Sequence, residues 1–465
     1  MSISPVTRTR VALFSAAAVG LALISAAPAV AAAGTPTTPT QLFNAYQACS
    51  TDPSAPLYLA GRGGLVVEGI AGDTDAAATG LREEFQAWPL ADPTQIFTAT
   101  NSYASQSYEA TANLSSSSLV DGQTYAWQAR TVDATGAASG WSAPCYVTDD
   151  DTAPTAAPTI TSANYPTGQS DQAGAPIQLT FGANGVSDVR GYEFSWTGTD
   201  FPVPVATIGD RGIPQYPDPY SDTKHRAKAD TLGGSATVSL IPPHDSGYLI
   251  VTVASLDRSF NQSAPTTYSI WLKQDGPTVT QVTHPKQFGK PTEFKLTPNP
   301  GMQAASPVVS YTVVDLAWQG QTTTTVKASR DGTAKLKLAL TGIYGDTLSV
   351  TSTSANGWVS QANDWSTGYL DTSPTVTSTV YTENGSSGGV GVTGTFTFAP
   401  KLTGVVSYTY SFNYGPTTTV KARGKAKSAQ ISWTPTASGW YDLEVYATTK
   451  SGIQLAPYDY YFTVN

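Results

Sequence analysis

The chain repeats itself, and the repeat limits what it can fold into. Val308-Val309-Ser310-Tyr311 recurs 97 residues later as Val405-Val406-Ser407-Tyr408, and the segment TTTVKA at 323–328 recurs at 417–422. Tyr192 occupies the corresponding position one repeat earlier. An alternating apolar strand precedes each tyrosine, at residues 177–181, 292–296 and 395–398. A period near 100 residues built from short alternating strands indicates a tandem array of small antiparallel β-sandwiches.

Composition and junctions set the expected number of domains. Only 13% of the residues are charged, and the chain has 41 Gly and 32 Pro, which is typical of an all-β chain with many turns. Three junctions share an Asp followed by a turn residue and Pro, near residues 151–154, 275–277 and 371–374. We therefore expect four sandwich domains, at residues 34–151, 152–275, 276–373 and 374–465, after a segment of 33 residues that takes no part in the fold.

Residues 1–33 have the pattern of an export signal. Arg8 and Arg10 precede an apolar run of small residues at 11–27, and Ala29-Val30-Ala31 offers a cleavage site. No later stretch reaches 18 consecutive apolar residues, so we expect no other membrane span and no membrane anchor. The expected location is outside the cell, and the signal and composition resemble those of secreted bacterial proteins.

One segment of the first domain resembles a known family. Leu119, Gly122 and Tyr125 have the spacing of the tyrosine corner of fibronectin type III modules, and Gly140-Trp141-Ser142 follows the next hairpin. Looser versions recur in the later domains, for example Gly439-Trp440-Tyr441. The resemblance to fibronectin type III and immunoglobulin-like modules implies four tandem antiparallel sandwiches. It implies no particular function, because this fold carries many.

The chain has two cysteines, Cys49 and Cys145, which lie at the first and last strands expected for the first domain. In an exported protein such a pair most simply forms a disulfide. Two free thiols or a metal pair are the alternatives, and the lack of nearby histidines argues against zinc. We predict the disulfide.

The second domain is longer than its siblings. Tyr192 and Tyr248 are 56 residues apart, whereas Tyr311 and Tyr344 are 33 apart, as are the corresponding tyrosines of the last repeat. The surplus lies at residues 201–230, which are rich in proline. Long insertions on rigid sandwiches often bind ligands, although they also persist because their entropic cost is small. The candidate ligand-binding residues of this insertion are Arg211, Tyr216, Tyr220 and Arg226.

Acidic residues gather at two places in the first domain. Asp73 and Asp75 share a turn, while Asp149 and Asp151 belong to the acidic run at the first junction. Oxygen ligands at such places can hold Ca²⁺ and stiffen a tandem array. The alternative is that Asp favours turns and keeps the protein soluble. Calcium is therefore a hypothesis, and no other cofactor is expected.

Three functions remain open. The first is a secreted, non-catalytic binding protein that recognises a surface polysaccharide or a protein, and it predicts exposed aromatic side chains lined up on a sheet face or loop. The second is a structural spacer without a specific ligand. The third is a hydrolase with a carboxylate site, which needs a deep pocket. Small sandwiches offer little concave space, so we expect no enzyme.

A basic run at 421–427 recurs in register with residues 327–332, which indicates a hairpin turn. Because the pI of the chain is near 4.8, nucleic acid is not an expected partner.

Overall fold

The computed structural model describes residues 34–45, 47–202, 205, 207–242 and 247–465, so the predicted signal peptide at 1–33 lies outside the described residues. The described chain forms two compact units. The first contains residues 34–57, 61–149 and 207–215, and the second contains residues 58–60, 150–206 and 216–465. Within these ranges no helix is both long and apolar enough to cross a membrane.

Strands of the first unit pair into two facing sheets. They are β1 (Pro36–Asn44), β2 (Gln47–Ala48), β4 (Leu65–Asp73), β5 (Leu81–Pro89), β6 (Phe97–Ala104), β7 (Ala110–Leu114), β8 (Thr124–Val132) and β9 (Cys145–Asp149), with the short β3 (Leu57–Leu59) in between. One sheet has the order β2-β1-β4-β7, and in the other β9, β8, β5 and β6 pair in that order. A hairpin of β14 (Thr207–Ile208) and β15 (Pro214–Gln215) also belongs to this unit.

The core of the first unit forms around Trp127 on β8. Its ring is fully buried beside Phe85 of β5, with the ring centroids 6.1 Å apart, and its indole N–H donates to Asn44 Oδ1 at 2.9 Å. The expected tyrosine corner is present, because the Tyr125 hydroxyl accepts from the backbone N–H of Val120 at 2.8 Å. This bond fixes the turn that precedes β8.

The second unit contains three successive sandwiches within the described residues. The second sandwich, counting the first unit as the first, consists of β10 (Thr159–Ser162), β11 (Ser170–Asp171), β12 (Ile177–Gly182), β13 (Gly191–Ser195), β16 (Arg226–Lys228), β17 (Ser235–Leu240), β18 (Tyr248–Leu256) and β19 (Thr266–Leu272). The third consists of β20 (Thr278–Gln281), β21 (Pro291–Thr297), β22 (Val308–Ala317), β23 (Gly320–Lys327), β24 (Ala334–Ala339), β25 (Asp346–Ser354) and β26 (Asn363–Ser366), with the helix α1 (Pro300–Ala305). The fourth consists of β27 (Thr375–Ser378), β28 (Ser386–Ser387), β29 (Gly394–Ala399), β30 (Val405–Phe412), β31 (Thr418–Lys421), β32 (Ala429–Trp433), β33 (Gly439–Thr449) and β34 (Tyr458–Val464).

All the sandwiches of the second unit share one strand order. In the third sandwich the first, second and fifth strands form one sheet (β20-β21-β24), and the other four form the facing sheet (β23-β22-β25-β26). The second and fourth repeat this order, with β11 and β28 added as short parallel strands at one edge. The expected all-β, antiparallel fold class is confirmed, whereas the domain boundaries stay predictions.

A buried tyrosine explains why the sequence repeats. Tyr192, Tyr311 and Tyr408 each lie on the third strand of their sandwich, fully buried. Each hydroxyl donates to a backbone carbonyl just before the fifth strand, which belongs to Gly234, Gly332 or Lys427, at 2.5 to 2.7 Å. A buried hydroxyl needs such a partner, so this bond fixes one sheet against the other at the same point of each repeat.

The second and third sandwiches share a hydrophobic core. Met302 of α1 and Trp358, which follows β25, are buried in one cluster with the core of the second sandwich. Asp275, at the junction, is 1% exposed and accepts hydrogen bonds from the backbone N–H of Gln361 at 2.7 Å and from the Trp358 indole at 3.3 Å. The linker carboxylate is thus part of a packed interface.

Candidate functional site

The predicted disulfide is present between Cys49 and Cys145. Their Cα atoms are 5.5 Å apart, which lies within the usual range. The bond ties the segment that follows β1 and β2 to β9, the last strand of the first sandwich. Its role is structural, because Cys145 is fully buried.

Arg211, the first of the predicted ligand-binding residues, lies in the β14–β15 hairpin of the first unit. Its guanidinium donates to the backbone carbonyl of Gln106 at 2.5 Å, and its own carbonyl accepts from the N–H of Glu109 at 3.0 Å. These bonds give the hairpin a packing partner inside the first unit. Arg211 is therefore held by backbone contacts, and the other three predicted residues belong to the second unit.

Tyr216 and Arg226 line one small cavity in the second unit, of about 140 Å³, together with Glu193. The remaining lining residues are Pro219, Leu256, Phe260 and Gln262. Arg226 donates to Glu193 Oε2 at 3.3 Å, and both side chains are almost fully buried, whereas Tyr216 is 36% exposed. Burial raises the pKa of Glu193, and the Arg226 charge partly offsets the rise. Glu193 Oε1 is buried and has no hydrogen-bond partner among the described residues.

Tyr220, which the sequence analysis predicted to bind a ligand, is buried in the structure. It is only 9% exposed, and its ring packs against Phe260 with centroids 5.9 Å apart. Burial raises the pKa of its hydroxyl to about 12, and that hydroxyl lacks a hydrogen-bond partner. The short 3-10 helix Pro219–Ser221 turns the ring inward, so Tyr220 forms part of the packing beneath the insertion.

The acidic residues considered for calcium cap turns. Asp73 Oδ1 accepts from the backbone N–H of Asp75, whose own Oδ1 accepts from the N–H of Ala77. Asp149 is buried and accepts from the N–H of Gly61 at 2.9 Å, whereas Asp151 belongs to the second unit. Among the described residues no group of three or more side chains is arranged to hold a metal ion.

Removal of calcium provides a direct test of the calcium hypothesis. Because the Asp73 and Asp75 carboxylates are engaged by backbone N–H groups, we expect calorimetric melting of the protein to be the same, within about 1 °C, in excess Ca²⁺ and in chelator. A melting temperature that rises by several degrees with Ca²⁺, and falls back in an Asp73→Asn variant, would show that the ion binds here.

An exposed aromatic cluster lies at one end of the third sandwich, where three turns meet. Trp318 is 77% exposed and Tyr369 is 79% exposed, with Tyr344 between them. The Trp318 and Tyr344 rings are perpendicular with centroids 5.5 Å apart, and the Tyr344 and Tyr369 rings are nearly parallel at 6.4 Å. Such an exposed group of rings costs hydration free energy and marks an interaction surface. We call it the aromatic cluster.

Exposed aromatic pairs also occur on the sandwiches to either side. Tyr248 and Trp271 face each other across β18 and β19, with centroids 4.2 Å apart, and they are 39% and 50% exposed. On the fourth sandwich Trp440, 57% exposed, stacks on Tyr461 at 5.5 Å. Exposed rings are therefore present on each sandwich of the second unit.

A cavity of about 260 Å³ lies beside the aromatic cluster. Its wall includes Thr367 and Leu370, and the N–H of Leu370 donates to the Tyr344 carbonyl at 3.1 Å. The hydroxyl of Thr292, which is 1% exposed, also lies on this wall and has no hydrogen-bond partner.

Two carboxylates lie at the same end of the third sandwich. Burial, together with the charge of Asp346, raises the pKa of Asp315 to about 6. Burial also raises the pKa of Asp346, although its Oδ1 accepts from the N–H groups of Thr341 and Gly342. Asp346 lines the 260 Å³ cavity, but Asp315 is not among the residues of its wall. Asp346 thus holds the loop before β25, and the two do not form a pair open to a substrate.

A second, larger cavity of about 470 Å³ lies between the third and fourth sandwiches. Gln287, Phe288 and Lys290 line both this cavity and the 260 Å³ one. Lys427 and Lys450 complete the charged part of its wall. We call it the lysine groove. The two cavities are therefore neighbours, and the smaller one includes Thr367 and Leu370, which lie on either side of Tyr369 in the sequence.

Sequence reasoning did not find the aromatic cluster, although a signal was present. Trp318, Tyr344 and Tyr369 each lie within two residues of a glycine with positive φ: Gly320, Gly345 or Gly368. Such glycines mark turns, so a large aromatic residue beside one is exposed more often than a strand residue. Separations of about 25 residues, however, hide the fact that the three turns meet.

The strand order and the buried tyrosines define the class, which is a tandem array of fibronectin type III-like sandwiches. No family model matches the sequence, and no curated protein matches it. Among solved structures, the chain is similar to the FN1–FN3 domains of chicken CNTN1, with 12% identity and a TM-score of 0.19 over 72% of this chain and 99% of that one. It is also similar to the fibronectin(III)-like modules of Clostridium thermocellum CbhA, with 14% identity and a TM-score of 0.17 over 40% of this chain and 94% of that one. At these TM-scores the likeness carries no argument, so the assignment rests on strand order.

Proposed function

We propose that this protein is a non-catalytic extracellular binding protein that recognises a polysaccharide through the aromatic cluster of Trp318, Tyr344 and Tyr369. The observation that carries the proposal is the exposure of Trp318 and Tyr369, whose rings both contact the half-buried ring of Tyr344. Fibronectin type III modules are typically non-catalytic and often mediate protein or carbohydrate binding. The disulfide agrees with an oxidising compartment outside the cell.

Sugar rings suit this surface for a physical reason. The face of an aromatic ring is electron-rich, and the C–H groups on one face of a pyranose carry a small positive charge, so the two surfaces attract as they shed water. Tyrosine and tryptophan lose little side-chain entropy when they bind, because each has only two rotatable side-chain angles.

The cavity lined by Tyr216, Arg226 and Glu193 is proposed as a second, smaller contact for the same ligand class. Its support is the combination of an aromatic wall with the unpaired Glu193 Oε1. A carboxylate oxygen that accepts a hydrogen bond from a sugar hydroxyl is a common polar anchor in pockets with apolar walls. At about 140 Å³ the cavity has room for only part of one sugar unit.

Removal of the aromatic cluster tests the proposed function. We expect the variant W318A/Y344A/Y369A to lose binding by roughly tenfold or more in affinity electrophoresis against neutral and cell-wall polysaccharides, because each ring contributes contact area and stacking. The melting temperature is expected to stay close to that of the wild type, since two of the three rings are mostly exposed. Tyr216→Ala in the same assay measures the smaller contact.

The matched control for this experiment is Tyr103→Ala, because Tyr103 is 95% exposed but lies in the first unit, outside the three aromatic groups. It should bind as the wild type does. Retention of full affinity by the triple variant, or a wild type that binds none of the polymers, would contradict the proposal. If the triple variant instead loses a protein partner, the cluster is a protein interface.

A structural spacer is the second candidate, and one observation favours it. Trp358 and Met302 join the second and third sandwiches through a common core, which sets a fixed distance along the chain. A spacer, however, has no need of exposed rings. A wild-type protein that binds neither polysaccharide nor protein in these assays would leave the spacer as the function.

A further inference from the structure

We propose that the polysaccharide recognised by this protein is anionic, and that its acidic groups bind in the lysine groove between the third and fourth sandwiches. The inference rests on the proposed function, since the sugar rings of the same polymer would contact the aromatic cluster. The acidic groups are phosphate diesters or carboxylates, which present the same negatively charged oxygens to a lysine.

The lysine groove has a fixed shape because its two walls, from the third and fourth sandwiches, are joined by a hydrogen bond and by apolar packing. The hydroxyl of Thr403, from the fourth sandwich, donates to the Lys286 carbonyl of the third at 3.0 Å. Phe288, which precedes Lys290, packs against the hydrophobic core of the fourth sandwich. A groove whose walls are joined in this way requires little ordering when a ligand enters.

Backbone bonds also hold the two lysines contributed by the fourth sandwich. The carbonyl oxygen of Lys427 accepts a hydrogen bond from the buried Tyr408 hydroxyl at 2.7 Å, and the N–H of Lys450 donates to the Gly404 carbonyl at 2.9 Å. The main chain of each lysine is therefore fixed in a turn. Their side chains are exposed, so the ammonium groups are accessible to a ligand.

The charged side chains that line the groove are all positive. Lys290, Lys427 and Lys450 line it, and the described part of its wall has no acidic residue. None of the three ammonium groups forms an ion pair with a described carboxylate. Other lysines of the same two sandwiches do have partners: Lys401 pairs with Asp371, and Lys335 lies 3.6 Å from Glu293. Three unpaired cations around one cavity, in a chain of net charge −9, favour an anion.

The rest of the wall suits a hydroxylated polymer. Ser451 offers a hydroxyl group, Gln287 offers an amide, and Phe288 and Val406 supply an apolar surface. Nucleic acid is a poorer fit, because the described lining of the groove offers one aromatic ring, that of Phe288, on which a base could stack. The shared residues Gln287, Phe288 and Lys290 lead from this groove through the smaller cavity toward Tyr369. One polymer chain can therefore follow both surfaces.

The test compares two triple variants of the full mature chain. K290Q/K427Q/K450Q removes the charges of the groove. K295Q/K335Q/K337Q removes the same number of charges from exposed lysines on the three-stranded sheet of the third sandwich. The probes are poly(glycerol phosphate), polygalacturonate and the neutral dextran, with binding measured in low and in moderate salt.

We expect the wild type to bind at least one of the two polyanions more tightly than dextran, with affinity that falls as salt screens the charges. The groove variant should lose about tenfold or more of this affinity and most of its salt dependence, whereas the control variant stays within about twofold. A preference for poly(glycerol phosphate) assigns the acidic group as phosphate, and one for polygalacturonate assigns it as carboxylate.

Three results would overturn the inference: no preference for either polyanion, equal losses in the two lysine variants, or displacement of the polyanion by a single-stranded oligonucleotide at lower concentration. Failure of the proposed function has a different signature. If the aromatic cluster is not the polysaccharide site, W318A/Y344A/Y369A binds every polymer as the wild type does, while the groove variant still loses the polyanion.

Discussion

Replacement of both Cys49 and Cys145 with alanine is expected to lower the free energy of unfolding of the first sandwich by roughly 4–5 kcal/mol. The two residues are 96 positions apart, and a cross-link that closes a loop of about 100 residues removes this much chain entropy from the unfolded state. For a sandwich of this size, such a loss lowers the melting temperature on the order of 15–20 °C.

Calorimetry of the protein measures the effect, and the transition that moves identifies the first unit. Reduction of the wild type with excess thiol is the control, because it breaks the same bond without changing the sequence. A shift of less than about 4 °C in both cases would show that the unfolded chain gains little freedom when the bond is absent.

The second large effect concerns Glu83 on β5, whose stability contribution depends on pH. Glu83 is fully buried in the first sandwich, and neither carboxyl oxygen has a hydrogen-bond partner. Burial, assisted by the charge of Glu109, raises the pKa of Glu83 from 4.5 to about 8. The folded state therefore binds a proton that the unfolded state releases between these two pH values.

The sign follows from proton binding. Stabilisation from Glu83 is fully present below pH 4.5 and is lost as the pH rises toward 8, at up to about 1.4 kcal/mol per pH unit. We expect the first unit to melt at a lower temperature at pH 8 than at pH 5.5. Glu83→Gln, which is never charged, should flatten this dependence and melt above the wild type at pH 8.

Calorimetric scans at three or four pH values check this prediction. Glu84→Gln is the matched control, because Glu84 is the neighbouring residue on the same strand but bonds Arg130 near the surface. Parallel pH profiles for the wild type and Glu83→Gln would contradict a raised pKa at this position.

The repeated sequence segments predicted the strands that recur from one sandwich to the next. The recurrence of Tyr311 as Tyr408 was sufficient to place both on equivalent strands, because a buried tyrosine with a fixed hydroxyl partner constrains its neighbours in each repeat. Length differences predicted an insertion at 201–230, and in the structure this range follows β13 and includes β16, which pairs with β13.

Features that depend on contacts between distant turns were not predictable. From the sequence we predicted one ligand-binding site containing Arg211, Tyr216, Tyr220 and Arg226. In the structure, however, Arg211 belongs to the first unit and Tyr220 is buried. A short loop sequence does not say which side chains the neighbouring strands will cover. The lysine groove poses the same difficulty, since Lys290, Lys427 and Lys450 come from three separate turns.

The core shared by the second and third sandwiches has a consequence for avidity. Trp358 and Met302 keep the Tyr248–Trp271 pair and the aromatic cluster at a constant separation. Under the proposed polysaccharide function, a polymer held at one of these surfaces is presented to the other at a high effective concentration, with no entropy lost in aligning flexible modules. A polymer of repeating sugars can thus reach a higher affinity through several weak contacts than it would reach through one shallow surface.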